Sequence, residues 1–384
     1  MASARSFALL AFAAAVSLLP TLGCTSLLGD FAASEGALGS SPETDGGSGG
    51  TQGGEAAAAV PDAHDGGATE PERDGGDGGR PADGAVPVPE GPIRLATGEM
   101  NVHALAVDGT SVYFTRFAAN GDVKQLALAG GAPIALGSGI DGPTDLALDG
   151  AGGVYWVTVG AAGTWQLFDA MIGVAGSARS LLSPAPTGAA HGIAVDVAHV
   201  FVGQGSSAGY ATLSAIPRGG GVGTTVASGP GKLGNVRERG TDVVWTDTAS
   251  GRVYSVAKTA PASLVAMGTG MTQPSELVLA GNSAFWINHG AQGAGAIYAG
   301  AIGAAQSARP IASNLGLPAG IATDGVLVFW TDAATGELFS MRPDGTARSR
   351  VAANIAQPGP LAATLTTLVW YDASDGSIWM IHRG

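Results

Sequence analysis

Hydrophobic residues in this chain fall in short runs separated by turn residues, with no sustained helical spacing after residue 24, and one such run recurs seven times. The copies are Val112-Tyr113-Phe114-Thr115, Val154-Tyr155-Trp156-Val157, Val200-Phe201-Val202-Gly203, Val243-Val244-Trp245-Thr246, Ala284-Phe285-Trp286-Ile287, Val328-Phe329-Trp330-Thr331 and Leu368-Val369-Trp370-Tyr371. Their third residues stand 42, 46, 43, 41, 44 and 40 residues apart, which is the period of a four-stranded propeller blade. In the sixth repeat, Asp324-Gly325, Thr335-Gly336 and Asp344-Gly345 separate four apolar stretches. Glycine there supplies the positive φ of a tight hairpin. An apolar run without alternation, as at 328–331, marks a strand covered on both faces, and a Trp in that row predicts filler for the widening gap between neighbouring sheets.

The ends of the repeat array predict how it closes. The seventh repeat stops after a third strand, Ser377-Ile378-Trp379-Met380-Ile381, while Ile93-Arg94-Leu95-Ala96-Thr97-Gly98 precedes the first repeat and resembles the outer strands of the others, such as 133–137 and 225–229. The expectation is an all-β, seven-bladed β-propeller over residues 93–384 whose last blade is completed by strand 93–98. That closure leaves no unpaired ring edge.

Trp245-Thr246-Asp247 and Trp330-Thr331-Asp332, each followed shortly by Gly and an apolar-aromatic pair (Val253-Tyr254, Leu338-Phe339), carry a family likeness. They resemble the YWTD repeats of receptor-type propellers and their bacterial relatives, including NHL-like repeats, and the resemblance implies the fold. Blade three departs from it with Val202-Gly203, and blade one with Arg116 at the Asp position. The count of seven blades also departs from the receptor-type members, so the resemblance implies no shared ligand.

Two segments precede the repeats. Arg5 followed by the apolar stretch 7–19 reads as a secretion signal too short to span a membrane, and Thr21-Leu22-Gly23-Cys24 resembles a bacterial lipobox. Residues 1–23 are thus expected to be a lipoprotein signal peptide. Cys24, the single cysteine, is the expected lipidation site, which rules out a disulfide within one chain. Residues 24–92 are poor in large apolar side chains and rich in Gly, Ala, Asp, Glu and Pro, the composition of a disordered tether. Residues 30–92 hold thirteen acids against two Arg, whereas the repeats hold eighteen acids and fifteen bases. The acidity behind the net charge of −13 therefore belongs to the tether, and the repeats offer no basic stripe for nucleic acid. The expected setting is the cell envelope, on an outer membrane and facing away from the cytoplasm. The expected partners are that membrane, through the lipid anchor, and a protein or small ligand bound by a monomeric ring.

Catalytic motifs are sparse. Gly205 to Gly209 fits a nucleophile-elbow pattern, but the following element is another strand where that elbow needs a helix. Asn288-His289-Gly290 falls in a loop, where a His is expected to be solvated. One constellation emerges when the repeats are superimposed. His103, Asp145, His191, Asn235 and Glu276 fall at the starts of innermost strands and should meet at one mouth of the central channel. Their oxygen and nitrogen donors suit a divalent cation. Arg237, in Val236-Arg237-Glu238-Arg239, stands in a row otherwise held by Ala106, Ala147, Ala194, Val278, Ala322 and Ala362, so it is expected just inside the channel, recruiting an anion or forming a structural ion pair. These six residues are the candidate ligand site of a binding module. The alternative is a metal-assisted hydrolase or lyase resembling propeller lactonases and streptogramin lyases.

Overall fold

The computed structural model describes residues 91–160, 163–183, 185–205, 209–260, 263–290 and 293–383. The expected signal peptide, the Cys24 lipidation site and the tether up to residue 90 lie outside the described residues, as do Ser206 to Ala208 of the elbow pattern. The described residues form twenty-eight strands, β1 to β28, in seven four-stranded antiparallel sheets. The innermost strands of blades one to seven are β2 (Val102–Val107), β6 (Pro143–Leu148), β10 (Ala189–Val195), β14 (Leu233–Arg239), β18 (Pro274–Ala280), β22 (Pro318–Thr323) and β26 (Pro358–Ala363). The chain is a seven-bladed β-propeller.

Ring closure follows the sequence expectation. The last sheet runs in the order β1 (Ile93–Ala96), β28 (Ser377–His382), β27 (Thr367–Asp372), β26, with Ile93 opposite Met380 and Arg94 opposite Trp379. Beyond Ala96 the backbone stays attached, with the Gly98 and Glu99 amides donating to Asp375 O and Gly376 O at 3.1 and 2.9 Å. The Arg94 guanidinium lies 5.7 Å above the Trp379 ring.

Trp fills the seams between blades, as its row predicts. Trp286 packs with Val253 and Met267 of the preceding blade, and Trp330 with Ile297 and Leu315 of its own predecessor. Each also lies over the aromatic residue paired with it on the third strand, with Trp330 and Phe339 stacked at 5.3 Å and Trp286 and Tyr298 at 6.0 Å. Burying such rings contributes about 2–3 kcal/mol each in transfer terms.

Every inner strand carries one extra residue near its start, a bulge against the second strand. The Thr of the Trp-Thr-Asp motif serves that bulge. Thr331 Oγ1 accepts the Gly320 amide at 2.9 Å, Thr246 Oγ1 accepts Asn235 N at 3.2 Å, and Thr115 Oγ1 accepts Ala104 N at 3.1 Å while donating to Thr144 O of the next blade at 2.7 Å. The Asp serves the connection between blades. Asp332 accepts the amides of Gly316, Leu317 and Ala334 at 2.8–3.0 Å, and Asp372 likewise takes Ala356, Gln357 and Ser374.

Both departures from the motif have a physical reason. In blade three a Cβ on Gly203 would lie 2.9 Å from Val236 Cγ2 and 3.1 Å from Leu233 Cδ2, so blade four closes onto the space a Thr would need. In blade one the charges are exchanged. Arg116, at the Asp position, pairs with Asp122 at 2.7 Å and with Glu99 at 3.2 Å, and Glu99 comes from the connection itself. Lys124 joins the same carboxylate at 2.8 Å.

Two outcomes follow for stability. Asp332→Ala should cost about 3 kcal/mol or more, because three backbone donors lose their acceptor, whereas Thr331→Val should cost about 1–3 kcal/mol through the Gly320 amide and the longer bond to Gly359 O; urea unfolding read by Trp fluorescence checks the order. Deleting residues 93–98 should lower the unfolding midpoint and broaden the transition by exposing the β28 edge, and an unchanged melt would show that the closing strand contributes nothing.

Candidate functional site

The lumen side of the inner strands encloses a cavity of about 400 Å³, within the range of small-molecule sites, roughly 300–1,000 Å³. All six residues proposed from the sequence, His103, Asp145, His191, Asn235, Arg237 and Glu276, line it. They come from blades one to five. Blades six and seven contribute Ile321, Thr323, Pro360 and Leu361 among others, so a polar crescent faces a mainly apolar wall.

The six do not form one ring of equivalent positions. Counted back from Leu105, Leu146, Ile193, Val236 and Leu277, which hold matching places against the second strands, Asp145, Asn235 and Glu276 are one residue earlier and His103 and His191 two. Aligning the starts of the repeats merged two adjacent rows. The bulge reconciles them, since an extra residue re-aims side chains that alternation would send to opposite faces.

Asp145 and Asn235 are engaged in holding blades together. Asp145 accepts Leu146 N at 3.0 Å and, from the next blade, Ile193 N at 3.2 Å. Asn235 Oδ1 accepts Leu277 N, again from the next blade, at 2.9 Å. Arg237 occupies the row foreseen from the sequence, and it crosses from blade four to blade two, where its Nη1 meets Asp145 Oδ2 at 3.1 Å and also donates to Val236 O at 2.8 Å. Of the other charges of its triplet, Glu238 also borders the cavity but pairs with Lys258 at 3.0 Å, which reaches Asp196 of blade three at 2.7 Å, and Arg239 is exposed. Arg237 thus forms the structural ion pair, and it does so while lining the cavity.

Electrostatics sort the remaining groups. Burial pushes the Glu276 carboxyl up to about 7; the Arg237 charge opposes that and Asp145 reinforces it. Glu276 borders the cavity but is otherwise walled in by protein, so its charge is poorly hydrated. Burial also pushes His191 down to about 4, with the positive charges of Lys232 and His103 acting in the same direction. His103 is lowered by burial, partly offset by Asp145 and a hydrogen bond with the Thr144 backbone. At neutral pH both imidazoles are neutral.

The geometry gives the cation-site expectation no support. Among the described residues no three His, Cys, Asp or Glu side chains gather closely enough to hold a metal ion. Distributing the donors over five blades spreads them around the lumen, and Asp145 spends its oxygens on amides and Arg237. His289 also differs from expectation. It is partly buried, and its Nε2 lies 2.8 Å from Ser275 Oγ, with its pKa lowered by burial.

No protein-family model and no curated protein matches this sequence. Among solved structures, selenomethionine-substituted virginiamycin B lyase from Staphylococcus aureus is similar with a TM-score of 0.59 at 12% identity, over 76% of this chain and 98% of that one. A catalytically inactive variant of the same lyase with quinupristin gives 0.60 at 11% identity over the same shares, 76% and 98%. The computationally designed Ika8 protein gives 0.52 at 14% identity, over 76% and 98%. At such identities these likenesses show the propeller fold alone.

The displaced Glu276 pKa fixes a pH dependence. An acid whose folded pKa lies above its unfolded value of 4.5 stabilises the fold fully below that value and loses the contribution as pH rises through about 7. Relative to wild type, Glu276→Gln should thus be unchanged near pH 4 and more stable by on the order of 2–3 kcal/mol above pH 8. Urea titrations across that span test this, and comparing the two proteins at each pH cancels the opposite trend from the depressed imidazoles, whose contribution is lost as pH falls from 6.5.

Proposed function

We propose that this chain is a lipid-anchored envelope protein whose propeller acts as a binding module, taking a small ligand into the central channel. The observation that carries the reading is the convergence of six polar side chains from five blades on one cavity of about 400 Å³. An apolar wall opposite that crescent suits a ligand with one polar and one apolar side. Arg237 breaks a row of Ala and Val at the cost of burying charge, which hydrophobic packing would have avoided. The guanidinium directs Nη1 to Asp145 and Val236 O, which leaves other N–H donors of the fork for a ligand oxygen. Glu276, close to half-protonated at neutral pH, offers either a donor or an acceptor. A carboxylate or another compact anion is the ligand chemistry this set favours.

Support for the anchor comes from the sequence, where Arg5, the apolar stretch 7–19 and Gly23-Cys24 stand in the order a lipoprotein signal requires. Two acyl chains on Cys24 would hold the protein at a membrane where one would not.

Screening malonate, succinate and inorganic phosphate by thermal melting should find at least one that raises the wild-type midpoint, by mass action on the folded state, and Arg237→Gln should cancel the rise. Failure of all three anions on the wild type, or an equal rise in the variant, would remove the channel reading. Independently, Cys24→Ser should move the protein from the detergent phase to the aqueous phase in a phase-partition assay, and retention in the detergent phase would remove the anchor.

A further inference from the structure

Comparing blades with one another exposes a missing side chain in the seam between blades three and four. At the end of the outer strand, most blades place one large residue against the Trp of the blade that follows. Ile140 sits beside Trp156, Leu315 beside Trp330 and Ile355 beside Trp370, while Met271 receives the Trp286 Nε1 hydrogen at 3.1 Å. The strand register places these residues opposite equivalent third-strand positions: Gly121 faces Ile140 and Gly295 faces Leu315, while the Met271 and Ile355 amides bond to Gly251 O and Gly336 O. In blade three the equivalent partners are Ala211 on β12 (Tyr210–Pro217) and Gly229 on β13 (Thr224–Pro230). Glycine stands at that register position, and Pro230, which is three residues before its inner strand as Ile140, Met271, Leu315 and Ile355 are before theirs, is exposed.

The vacancy is measurable. A second cavity, of about 270 Å³, opens at that place, lined by Ala211, Leu213, Gly229, Trp245, Tyr254 and Arg252 among others. A cavity against an indole forfeits the packing that the other seams enjoy, and Gly229 has open space around its Cβ, so nothing steric forbids a larger residue. The rim adds charge. Arg252 is exposed, donates to Tyr254 Oη at 3.1 Å and pairs with no carboxylate among the described residues. Its ladder partner Asp247 also lines the cavity, but its carboxylate is occupied, accepting the amides of Lys232, Ala249 and Ser250 at 3.0–3.1 Å.

We infer that the seam between blades three and four is a second binding site, one that takes a small amphipathic carboxylate. Its apolar body fills the place left by Gly229 against Trp245, and its carboxylate meets Arg252. The site is separate from the channel, and its existence does not depend on the channel reading.

The test uses the full chain with 3-phenylpropionate as probe and 3-phenylpropan-1-ol as its uncharged counterpart, read by Trp fluorescence and thermal melting. The acid should bind the wild type saturably. Gly229→Met should raise the melting midpoint by filling the seam and weaken the acid at least tenfold, and Ala227→Leu, which fills the same cavity from another position, should do the same if the Met variant folds poorly. Arg252→Gln should weaken the acid roughly tenfold, the loss of one charge-assisted contact, and leave the alcohol unchanged; Arg237→Gln in the channel should change neither. The inference is overturned if the acid does not bind the wild type, if both filling variants bind it as tightly as the wild type does, or if Arg252→Gln affects acid and alcohol alike.

Discussion

The free edge of the seven inner strands is the constraint on which the rest of this molecule depends. Each sheet pairs its inner strand on one side only, so the backbone groups facing the lumen need acceptors and donors that no fifth strand provides. Side chains supply them across blade boundaries. Asp145 takes an amide of blade three, Asn235 takes one of blade five, and Thr115 donates to a carbonyl of blade two. These bonds tie neighbouring blades at small radius in three of the seams, while Trp packing ties blades at larger radius. Losing either would leave a sheet with one polar edge or one apolar face exposed.

That constraint also divides the channel residues by what remains available. Asp145 and Asn235 look like ligands from the sequence because they are polar residues at converging positions, yet convergence is also what lets them clasp adjacent blades. Glu276 stands at the same place in blade five, with no comparable bond to the next blade among those described, and its carboxyl is held near neutrality of charge by burial. Arg237 is the other group whose presence the clasp does not demand, since Ala or Val serves in the other six blades. The proposed binding in the lumen thus rests on residues that the ring could have done without.

The blade count, the closing strand and the row containing Arg237 were legible because a repeat provides its own alignment and each copy is checked by six others. The rims were less legible. A bulge adds one residue to every inner strand, and periodicity in the sequence does not reveal on which side of that residue a side chain falls, so His103 and His191 were placed level with Asp145. The cation reading met a related limit: composition shows which donors converge on the axis but not their separation around it. His289 illustrates the limit for loops, since its contact with Ser275 joins residues fourteen positions apart through the blade register rather than through any local pattern.

Repetition sharpens functional inference by supplying internal controls. In the row of Arg237 the other six blades hold only Ala or Val, and at four other seams Ile, Leu or Met stands against the Trp. Arg237 and Gly229 break that rule in opposite directions, one adding charge where small apolar residues suffice and the other removing bulk where Ile, Leu or Met fills a seam. Each costs stability, through desolvation in the first case and lost packing in the second, and neither is offset by a contact the equivalent blades lack, apart from the Arg237 pair with Asp145. Exposed loops also vary between blades, but there variation is cheap and carries little information. A costly departure inside the packed framework calls for a compensating ligand more strongly than any polar cluster at the rim.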